Sequence, residues 1–417
     1  NTAVGAEALF RNTLGIQNTA VGRLTLAAIG TNSNCTAVGY NALTVSTGDN
    51  NTAVGSEALD AVTTGVNNTA VGRSALGALV GAGSACTAVG FQALLANTAN
   101  DTTAVGAACM QGNTTGTQNT GVGFNCLLTN LVGTSNTAVG FSALRLNTVS
   151  DNTAVGAQAL DVNSTGTRNT AVGRSALAAI TTGTNCTAVG HAALILNTGI
   201  ENTAMGTFSL DSNTTGTQNT AFGYNTMSGM VSGINNVAVG WNAAANTTAN
   251  SNTCVGANAY VIGTSGGENV IIGAQAAANS TNAGVTFNVF IGYRAAVNCG
   301  VGVSCTQNVC IGHNVTQSMT SGQNNVALGN LAMSACTIGS RNVVVGQNSG
   351  TAMTAGSDNT VVGCTTFTVG TGNNNVMVGR NAGNNIVAGN ENICIGTNQG
   401  GVVGDSGFTR IGLTGSI

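Results

Sequence analysis

A five-residue unit recurs along the whole chain, and this repetition constrains the fold more than any other feature of the sequence. In its commonest form the unit reads Asn-Thr-Ala-Val-Gly. Its closing glycine occurs in 25 copies from Gly5 to Gly412, nearly all 16 to 18 residues apart, and only the steps to Gly292 and Gly312 are longer. Self-similarity at so short a period is typical of solenoids, in which each repeat packs only on its neighbours.

The unit itself reads as a β-strand. Thr and Val favour pleated backbone, and Asn-Thr-Thr-Gly loops such as residues 113–116 separate the units. The high Gly, Asn and Thr content, without a 3.6-residue period, argues against helices. The sequence therefore predicts an all-β parallel solenoid, or β-roll, of 25 repeats of about 17 residues. We expect one continuous array over residues 1–417, regular in 1–272, more irregular in 273–312, and regular but more apolar in 313–417.

Alternation along each strand predicts which sides are buried. Positions two and four of the unit share one face, and positions one, three and five share the other. Position four is apolar in every unit, although the residue type varies. Its face is therefore predicted to be a core. Position three is mostly Ala, which makes the other face apolar too. Each unit is followed by an Ala-Leu pair, such as Ala58–Leu59, and the part of the coil that bears this pair can cover one face of the strand. The other face must be covered by sister chains or by another part of this chain.

Position one is Asn in 20 of the first 24 units, the exceptions being Cys35, Cys86, Thr102 and Cys186. Stacked Asn side chains can hydrogen-bond from one turn to the next. Alternatively, Asn only begins a strand after a loop, where its side chain tolerates turn backbone. Both interpretations give the column an architectural role and no chemistry.

The sequence also has a longer period of about 50 residues, or three units. The residue that follows the closing glycine is small in one unit, Arg or aromatic in the next, and ring-bearing in the third. Either each unit is one narrow coil and three chains pack side by side, or three units form one large triangular turn. The large turn would stack Asp49, Asp101, Asp151 and Glu201 directly, which like-charge repulsion disfavours. We favour the narrow coil of about 17 residues.

Two units carry a resemblance to a known family. Asn236–Gly240 reads Asn-Val-Ala-Val-Gly, and Asn325–Gly329 reads Asn-Val-Ala-Leu-Gly. Both resemble the head repeats of trimeric autotransporter adhesins of the YadA type, whose strands build left-handed parallel β-rolls that trimerise. The longer form at Cys35–Leu43 also resembles NTAVG repeat arrays of phage and viral tail fibres. The resemblance implies an extracellular trimer, although the 17-residue spacing is longer than that of the adhesins.

Composition excludes several functions. The net charge is −3, with 10 basic residues and 6% charged residues, so no basic surface for nucleic acid or for an anionic membrane is expected. No apolar run is long enough to span a bilayer, so membrane insertion is not expected. No Cys-x-x-Cys pattern, phosphate loop or catalytic triad is present. We therefore predict no enzyme activity, no catalytic or metal site and no cofactor.

The cysteines and histidines are predicted to be structural. Cys109 and Cys126 replace the Ala of the Ala-Leu pair, and most other cysteines occupy small buried slots of the unit, where a free thiol acts as a compact apolar group. Cys299 and Cys305 are the best disulfide candidates. His191 and His313 each follow a motif glycine and are expected to pack at a surface or interface.

Two further expectations concern loops and the irregular segment. Loop sequons at Asn113, Asn163, Asn213, Asn246 and Asn279 could carry glycans in a eukaryotic or viral protein. The rings of Phe287, Phe290 and Tyr293 are expected to fill a wider core between Gly273 and Gly312.

The leading functional hypothesis is a structural one: a rod segment of an extracellular fibre, filament or adhesin. Its partners would be copies of itself, as a homotrimer or an end-to-end filament, and cell-surface glycans bound weakly but many times over. The alternative is an ice- or surface-binding Thr ladder beginning at Thr2, Thr19 and Thr36, although these residues share the face predicted as core. A β-helical polysaccharide lyase or hydrolase would need paired acids in a cleft, which the sequence does not show.

Overall fold

The computed structural model describes residues 1–61, 63–77, 83–263, 266–280, 284–301, 304–401 and 403–412, and the regular elements in these ranges are all β-strands. Two compact units, Asn1–Asn202 and Thr203–Ile417, are described separately.

Unit 1 contains twelve three-residue strands that pair in chain order. Each pair is parallel and in register, for example Thr2 with Thr19 and Val4 with Val21. The strands are β1 (Thr2–Val4), β2 (Thr19–Val21), β3 (Thr36–Val38), β4 (Thr52–Val54), β5 (Thr69–Val71), β6 (Thr87–Val89), β7 (Thr103–Val105), β8 (Thr120–Val122), β9 (Thr137–Val139), β10 (Thr153–Val155), β11 (Thr170–Val172) and β12 (Thr187–Val189).

Unit 2 continues the same pattern with thirteen strands in its main sheet and two small two-stranded sheets. The small sheets are β18 with β20 and β24 with β26, and all pairings are parallel. The strands are β13 (Thr203–Met205), β14 (Thr220–Phe222), β15 (Val237–Val239), β16 (Thr253–Val255), β17 (Val270–Ile272), β18 (Val285–Thr286), β19 (Val289–Ile291), β20 (Cys305–Thr306), β21 (Val309–Ile311), β22 (Val326–Leu328), β23 (Val343–Val345), β24 (Ala352–Met353), β25 (Thr360–Val362), β26 (Val369–Gly370), β27 (Val376–Val378), β28 (Ile393–Ile395) and β29 (Thr409–Ile411).

One turn of the solenoid is therefore one repeat. Strand β4 pairs with β5 by joining Thr52 to Thr69, residues 17 apart in sequence. The parallel β-solenoid with turns of about 17 residues is confirmed, and the alternative of a 50-residue triangular turn is wrong. Asp49 and Asp101 consequently lie three turns apart along the stack.

The closing glycine is required by both backbone and space. Gly55 has a φ of +135°, a conformation that residues with a side chain rarely adopt. A Cβ at this position would stand 2.6 Å from the carbonyl oxygen of Gly72 in the next turn. Any other residue would therefore push consecutive turns apart, which explains why the motif ends in Gly throughout the array.

The interior of each coil lies under positions one and three of the unit. In the turn that begins with β4, Asn51, Ala53, Ala58 and Leu59 are all fully buried. The predicted burial of position four is wrong, because Val54 remains 37% exposed. The coil is narrow, and the small Ala fits beneath the strand against the Ala-Leu pair, whereas the opposite face stays partly exposed.

The Asn column forms the predicted ladder. The side-chain Oδ1 of Asn51 accepts the backbone N–H of Asn68 at 2.9 Å, and the Nδ2 of Asn51 donates to the carbonyl of Gly65 at 2.8 Å. The same pair of bonds recurs at Asn342, which accepts from the N–H of Asn359 and donates to Gly356. Since these amides are buried, their hydrogen bonds replace those lost to water.

Unit 2 fills its coils differently. In two coils with Ile or Phe at position three, Ala stands where the Leu of the Ala-Leu pair is usual. The coil with Ile271 at position three has Ala277 in the place of the Leu, and the coil with Phe290 has Ala296 there. All four residues are fully buried. This exchange keeps the volume of the core near constant, which packed interiors require.

The segment predicted as irregular, 273–312, contains the extra strands β18 and β20. Cys299 and Cys305 form a disulfide there, as predicted. Phe290 lies in the core, but Phe287 and Tyr293 are 55% and 45% exposed, so their predicted burial is wrong. Phe287 stands immediately before Asn288 of the Asn column, a place where other turns carry exposed residues with a positive φ, such as Asn50 and Gln118.

Candidate functional surface

The face formed by positions two and four is only partly covered in unit 1, with Thr mostly half-buried and Val mostly exposed. We call it the outward face. Every strand from β1 to β12 contributes one Thr and one Val to it. The in-register pairing stacks like on like, as Thr36 on Thr52 and Val38 on Val54, about 4.8 Å apart. The result is a regular surface with a column of hydroxyl groups beside a column of aliphatic groups.

In unit 2 the outward face becomes more apolar. Val replaces Thr at position two in strands such as β17, β19 and β21, and Ile takes this place in β28. Met205 and Phe222, at position four of β13 and β14, are 38% and 53% exposed. From β1 to β28, the strand residues that form the outward face include no ionisable side chain.

Such a surface is suited to contact with another regular surface. Exposed apolar residues on a soluble protein are usually scattered, and a contiguous patch of several hundred Å² commonly marks an interaction site. The outward face is contiguous because its columns continue from strand to strand within each unit. Its chemistry offers apolar contact and hydroxyl hydrogen bonds, with no charge to be desolvated.

A second exposed column follows the motif glycines, and we call it the ring column. Its members pair on consecutive turns. The guanidinium of Arg23 lies 5.8 Å from the ring centre of Tyr40, and Arg73 lies 5.7 Å from that of Phe91. In the next such pair, the rings of Phe124 and Phe141 stack with centres 5.6 Å apart.

These pairs give a physical reason for the 50-residue period. Two consecutive turns supply a contact between side chains, and the third turn supplies a small residue such as Ala107. Like residues thus recur every three turns, about 14 Å apart at 4.8 Å per turn, without stacking on one another. In unit 2 Tyr293 and His313 form a comparable stack at 5.3 Å.

Charged residues are few, and only some of them have a partner of opposite charge. Arg145 makes a bidentate pair with Asp161, its Nε 2.7 Å from Oδ1. Asp60 and Asp211 follow the Ala-Leu pair as Asp161 does. Burial raises the pKa of both carboxyl groups, and the nearby Glu57 raises that of Asp60 further. Each has an Oδ1 atom that is buried and lacks a hydrogen-bond partner among the described residues.

The cysteines occupy the places that the sequence predicted. Cys254, Cys310 and Cys394 are buried at position three, and burial raises the pKa of the Cys254 and Cys310 thiols to about 12. Cys35, Cys86 and Cys186 are buried in the Asn column. Cys364 is exposed after a motif glycine. Raised thiol pKa values disfavour the thiolate, so these buried groups are poor nucleophiles.

The structure agrees with the predicted surface packing of the histidines but with only part of the glycan acceptors predicted from the sequons. His313 is exposed and stacks on Tyr293, in line with the predicted surface packing, and His191 lies in the same ring column. Asn246 and Asn279 are exposed. However, Asn113, Asn163 and Asn213 are fully buried, which contradicts their prediction as glycan acceptors. They form a second Asn column, in which Asn113 donates to Asn97 Oδ1 at 2.6 Å and Asn130 donates to Asn113 Oδ1 at 3.0 Å.

Comparisons with known proteins give no family assignment. The chain matches no protein-family model and shows no significant match to a curated protein. Among the residues that the structure describes, no three or more His, Cys, Asp or Glu side chains group as a metal site would require. The same ranges contain no helix with the length and apolar character needed to cross a bilayer.

Proposed function

We propose that this chain is a structural segment of an extracellular fibre, filament or adhesin, and that copies of it associate side by side through the outward face. The observation that carries the proposal is the uncovered column of identical Val residues along unit 1. Val21, Val38 and Val54 are each 37% exposed and stand in register on consecutive turns. An apolar surface of this regularity gains most when a second surface removes it from water.

The composition of the outward face supports association between copies. Since it is uncharged, two such faces meet without the cost of burying an unpaired charge. Its constant turn spacing of about 4.8 Å means that columns of two copies can run in step over many turns. The contact energy then accumulates turn by turn, as stability does in solenoids.

The Cys299–Cys305 disulfide supports an extracellular location. Disulfides persist in oxidising environments and are rare in reducing cytosols. The low content of charged residues, 6%, is compatible with a scaffold that presents the same uncharged surface repeatedly.

We also propose that the ring column binds cell-surface glycans. Exposed rings such as Tyr40, Phe91 and Phe141 offer rigid apolar platforms for the C–H faces of sugars, and Arg23 and Arg73 supply donors beside them. One platform would bind weakly, but platforms repeated about every 14 Å along the stack would bind a polymer with avidity.

Charge placed on the outward face tests the association. We expect Val139→Asp combined with Val155→Asp to shift the native mass to that of one chain, because each new carboxylate would be buried against another copy. The matched control is Thr115→Asp, on an exposed loop of the same unit. Unchanged association in the double variant, at a circular dichroism spectrum like that of the wild type, would refute the proposed interface.

Ice binding is the second candidate, and one observation favours it. The Thr column that the sequence placed in a core lies on the exposed outward face, where it is regular from Thr2 to Thr187. These Thr residues are half-buried or exposed and none is fully buried, which supports this candidate over a role in a core. Thermal hysteresis of the purified chain tests this function: a measurable freezing-point gap supports it, and none at millimolar concentration excludes it.

A further inference from the structure

Three departures from the repeat pattern meet at one point in the core of unit 1. Among the 25 repeats, Cys takes the first place of the Ala-Leu pair only at Cys109 and Cys126, and these two repeats are consecutive. The only glycine at position three of any unit, Gly121, lies between them on β8. We name this group the thiol pair site, formed by Cys109, Cys126 and Gly121.

The two thiols are in direct contact. Their Sγ atoms are 2.8 Å apart, and both side chains are fully buried. The backbone holds them side by side, because the N–H of Met110 donates to the carbonyl of Cys126 at 2.9 Å. Neighbouring turns about 4.8 Å apart place equivalent Cα atoms within the range of about 4.4 to 6.8 Å that disulfides span.

Gly121 provides the room that the sulfur atoms need. A Cβ at this position would stand 2.6 Å from the Sγ of Cys109 and 3.1 Å from that of Cys126. The backbone does not require glycine here, since Gly121 is absent from the positions with a positive φ. The space that Ala fills in neighbouring turns is occupied here by the two sulfur atoms together with the Met110 Cε, which lies 2.8 Å from the Cβ position at the far end of a flexible side chain.

We propose that Cys109 and Cys126 form a second disulfide, which joins two consecutive turns of the solenoid. The chain already contains the Cys299–Cys305 disulfide, so it folds where an oxidant for thiols is present. The oxidant is an external disulfide. One cysteine thiolate attacks it, forms a mixed disulfide and releases one thiol; the second cysteine then attacks the protein sulfur of that mixed disulfide and releases the other.

This exchange balances: two protein thiols become one disulfide, and one external disulfide becomes two thiols. Because both sulfur atoms are fully buried in the folded chain, the exchange takes place before these two turns close over the site. The finished bond joins these two turns independently of the hydrogen-bond ladder, and it limits their separation at this point.

Thiol counting in the full chain tests the proposal. The sequence has 12 cysteines, and two are in the Cys299–Cys305 disulfide. Alkylation in denaturant without reductant should therefore modify eight cysteines if the second disulfide is present. Modification of ten would overturn the proposal.

Fragmentation locates the bond, because Met110 separates the two cysteines in sequence. Cyanogen bromide cleaves after Met and yields fragments 1–110 and 111–205. We expect these fragments to stay joined until reductant is added. Cys109→Ala, which restores the usual residue, should separate them, whereas the control Cys86→Asn should leave them joined. Fragments that separate without reductant in the wild type, or that remain joined in Cys109→Ala, would contradict the assignment.

The role of Gly121 gives an independent readout. Gly121→Ala should lower the linked fraction severalfold and lower the unfolding midpoint, because its methyl group meets the Cys109 sulfur. In the Cys109→Ala, Cys126→Ala background the same change restores the usual Ala column and should leave the midpoint unchanged or raise it. An equal loss of stability in both backgrounds would contradict the inferred link between Gly121 and the thiols.

Discussion

The side-chain carbonyl of Asn342 accepts the backbone N–H of Asn359, one turn further along the stack, at 3.0 Å. The Nδ2 group of the same side chain donates to the carbonyl of Gly356 at 2.8 Å. A buried Asn thus satisfies groups on both its own turn and the next one. These bonds give the coil a polar half that holds its register, opposite the apolar half formed by Ala and Leu.

Removing one rung of this ladder should weaken unit 2. Asn342→Ala leaves the Asn359 N–H and the Gly356 carbonyl without these partners in a buried place, and we expect a loss of about 2 kcal/mol or more in the free energy of unfolding. Chemical denaturation followed by circular dichroism measures the loss. The control is Gln347→Ala, at an exposed position where other turns carry Ala. Equal effects of the two changes would show that the buried amide is not stabilising.

The exchange of volume between position three and the Ala-Leu pair should be transferable to unit 1. Ala138→Ile alone overfills a coil in which Ala138 and Leu144 are both fully buried, and it should cost about 1 to 3 kcal/mol. Adding Leu144→Ala reproduces the arrangement of Ile271 and Ala277 and should recover most of the loss. Thermal melts of both single variants and the double variant measure the coupling, and strict additivity would refute the proposed complementarity.

Because of Asp60, the chain should be more stable in mild acid than at neutral pH. Its folded pKa is raised by burial and by Glu57, so ionisation is less favourable in the folded than in the unfolded chain. Its contribution is greatest when the carboxyl group is protonated in both states, and stability falls as the pH rises through the unfolded and then the folded pKa. Asp60→Asn should therefore raise the unfolding midpoint at pH 7 and change it little near pH 3. A higher midpoint at pH 3 but none at pH 7 would give the opposite sign and contradict this account.

Single rings of the ring column should contribute measurably to glycan binding. We expect Phe141→Ala to lower the apparent affinity of the chain for immobilised cell-surface glycans about threefold to tenfold, the range of one aromatic contact. Leu131→Ala is the control, because Leu131 is a loop residue of similar exposure, 49% against 53% for Phe141. Glycan binding that is equally affected by both variants would argue against the ring column as the binding surface.

Much of the fold was predictable because the sequence repeats. Strand positions, parallel register and the Asn ladder follow from one unit copied 25 times, and the wider spacing near Gly292 and Gly312 marked Cys299 and Cys305 as the best disulfide candidates. A repeat unit states the same local preference many times, which makes its structure clearer than that of a single segment.

The orientation of the strands was not predicted correctly. Both faces of the unit are rich in apolar residues, so hydrophobicity alone predicted that the valines are buried and did not distinguish the face that the coil covers from the other face. The signal that could have corrected this is the coupled change at two positions. Met377 is large where Gly383 is small, and a Cβ at Gly383 would lie within 3.2 Å of three Met377 side-chain atoms. Such compensation shows that position three faces the Ala-Leu pair.

The ring column shows a different difficulty. The 50-residue period was visible in the sequence, but it left open whether equivalent residues stack in one large turn or lie three narrow coils apart. The structure places Phe124 on Phe141, one turn away, and residues three turns apart are not in contact. The 50-residue period therefore predicted the spacing between equivalent pairs of the ring column. Which residues form each pair depends on contacts between unlike residues on consecutive turns.

The native mass of the 417-residue chain tests the central proposal most directly, because an outward face of uncovered valines should not remain in water. Native mass spectrometry of the oxidised wild-type chain at micromolar concentration should give a multiple of its 40.8 kDa mass. A single species at 40.8 kDa, unchanged on raising the concentration tenfold, would contradict side-by-side association through the outward face.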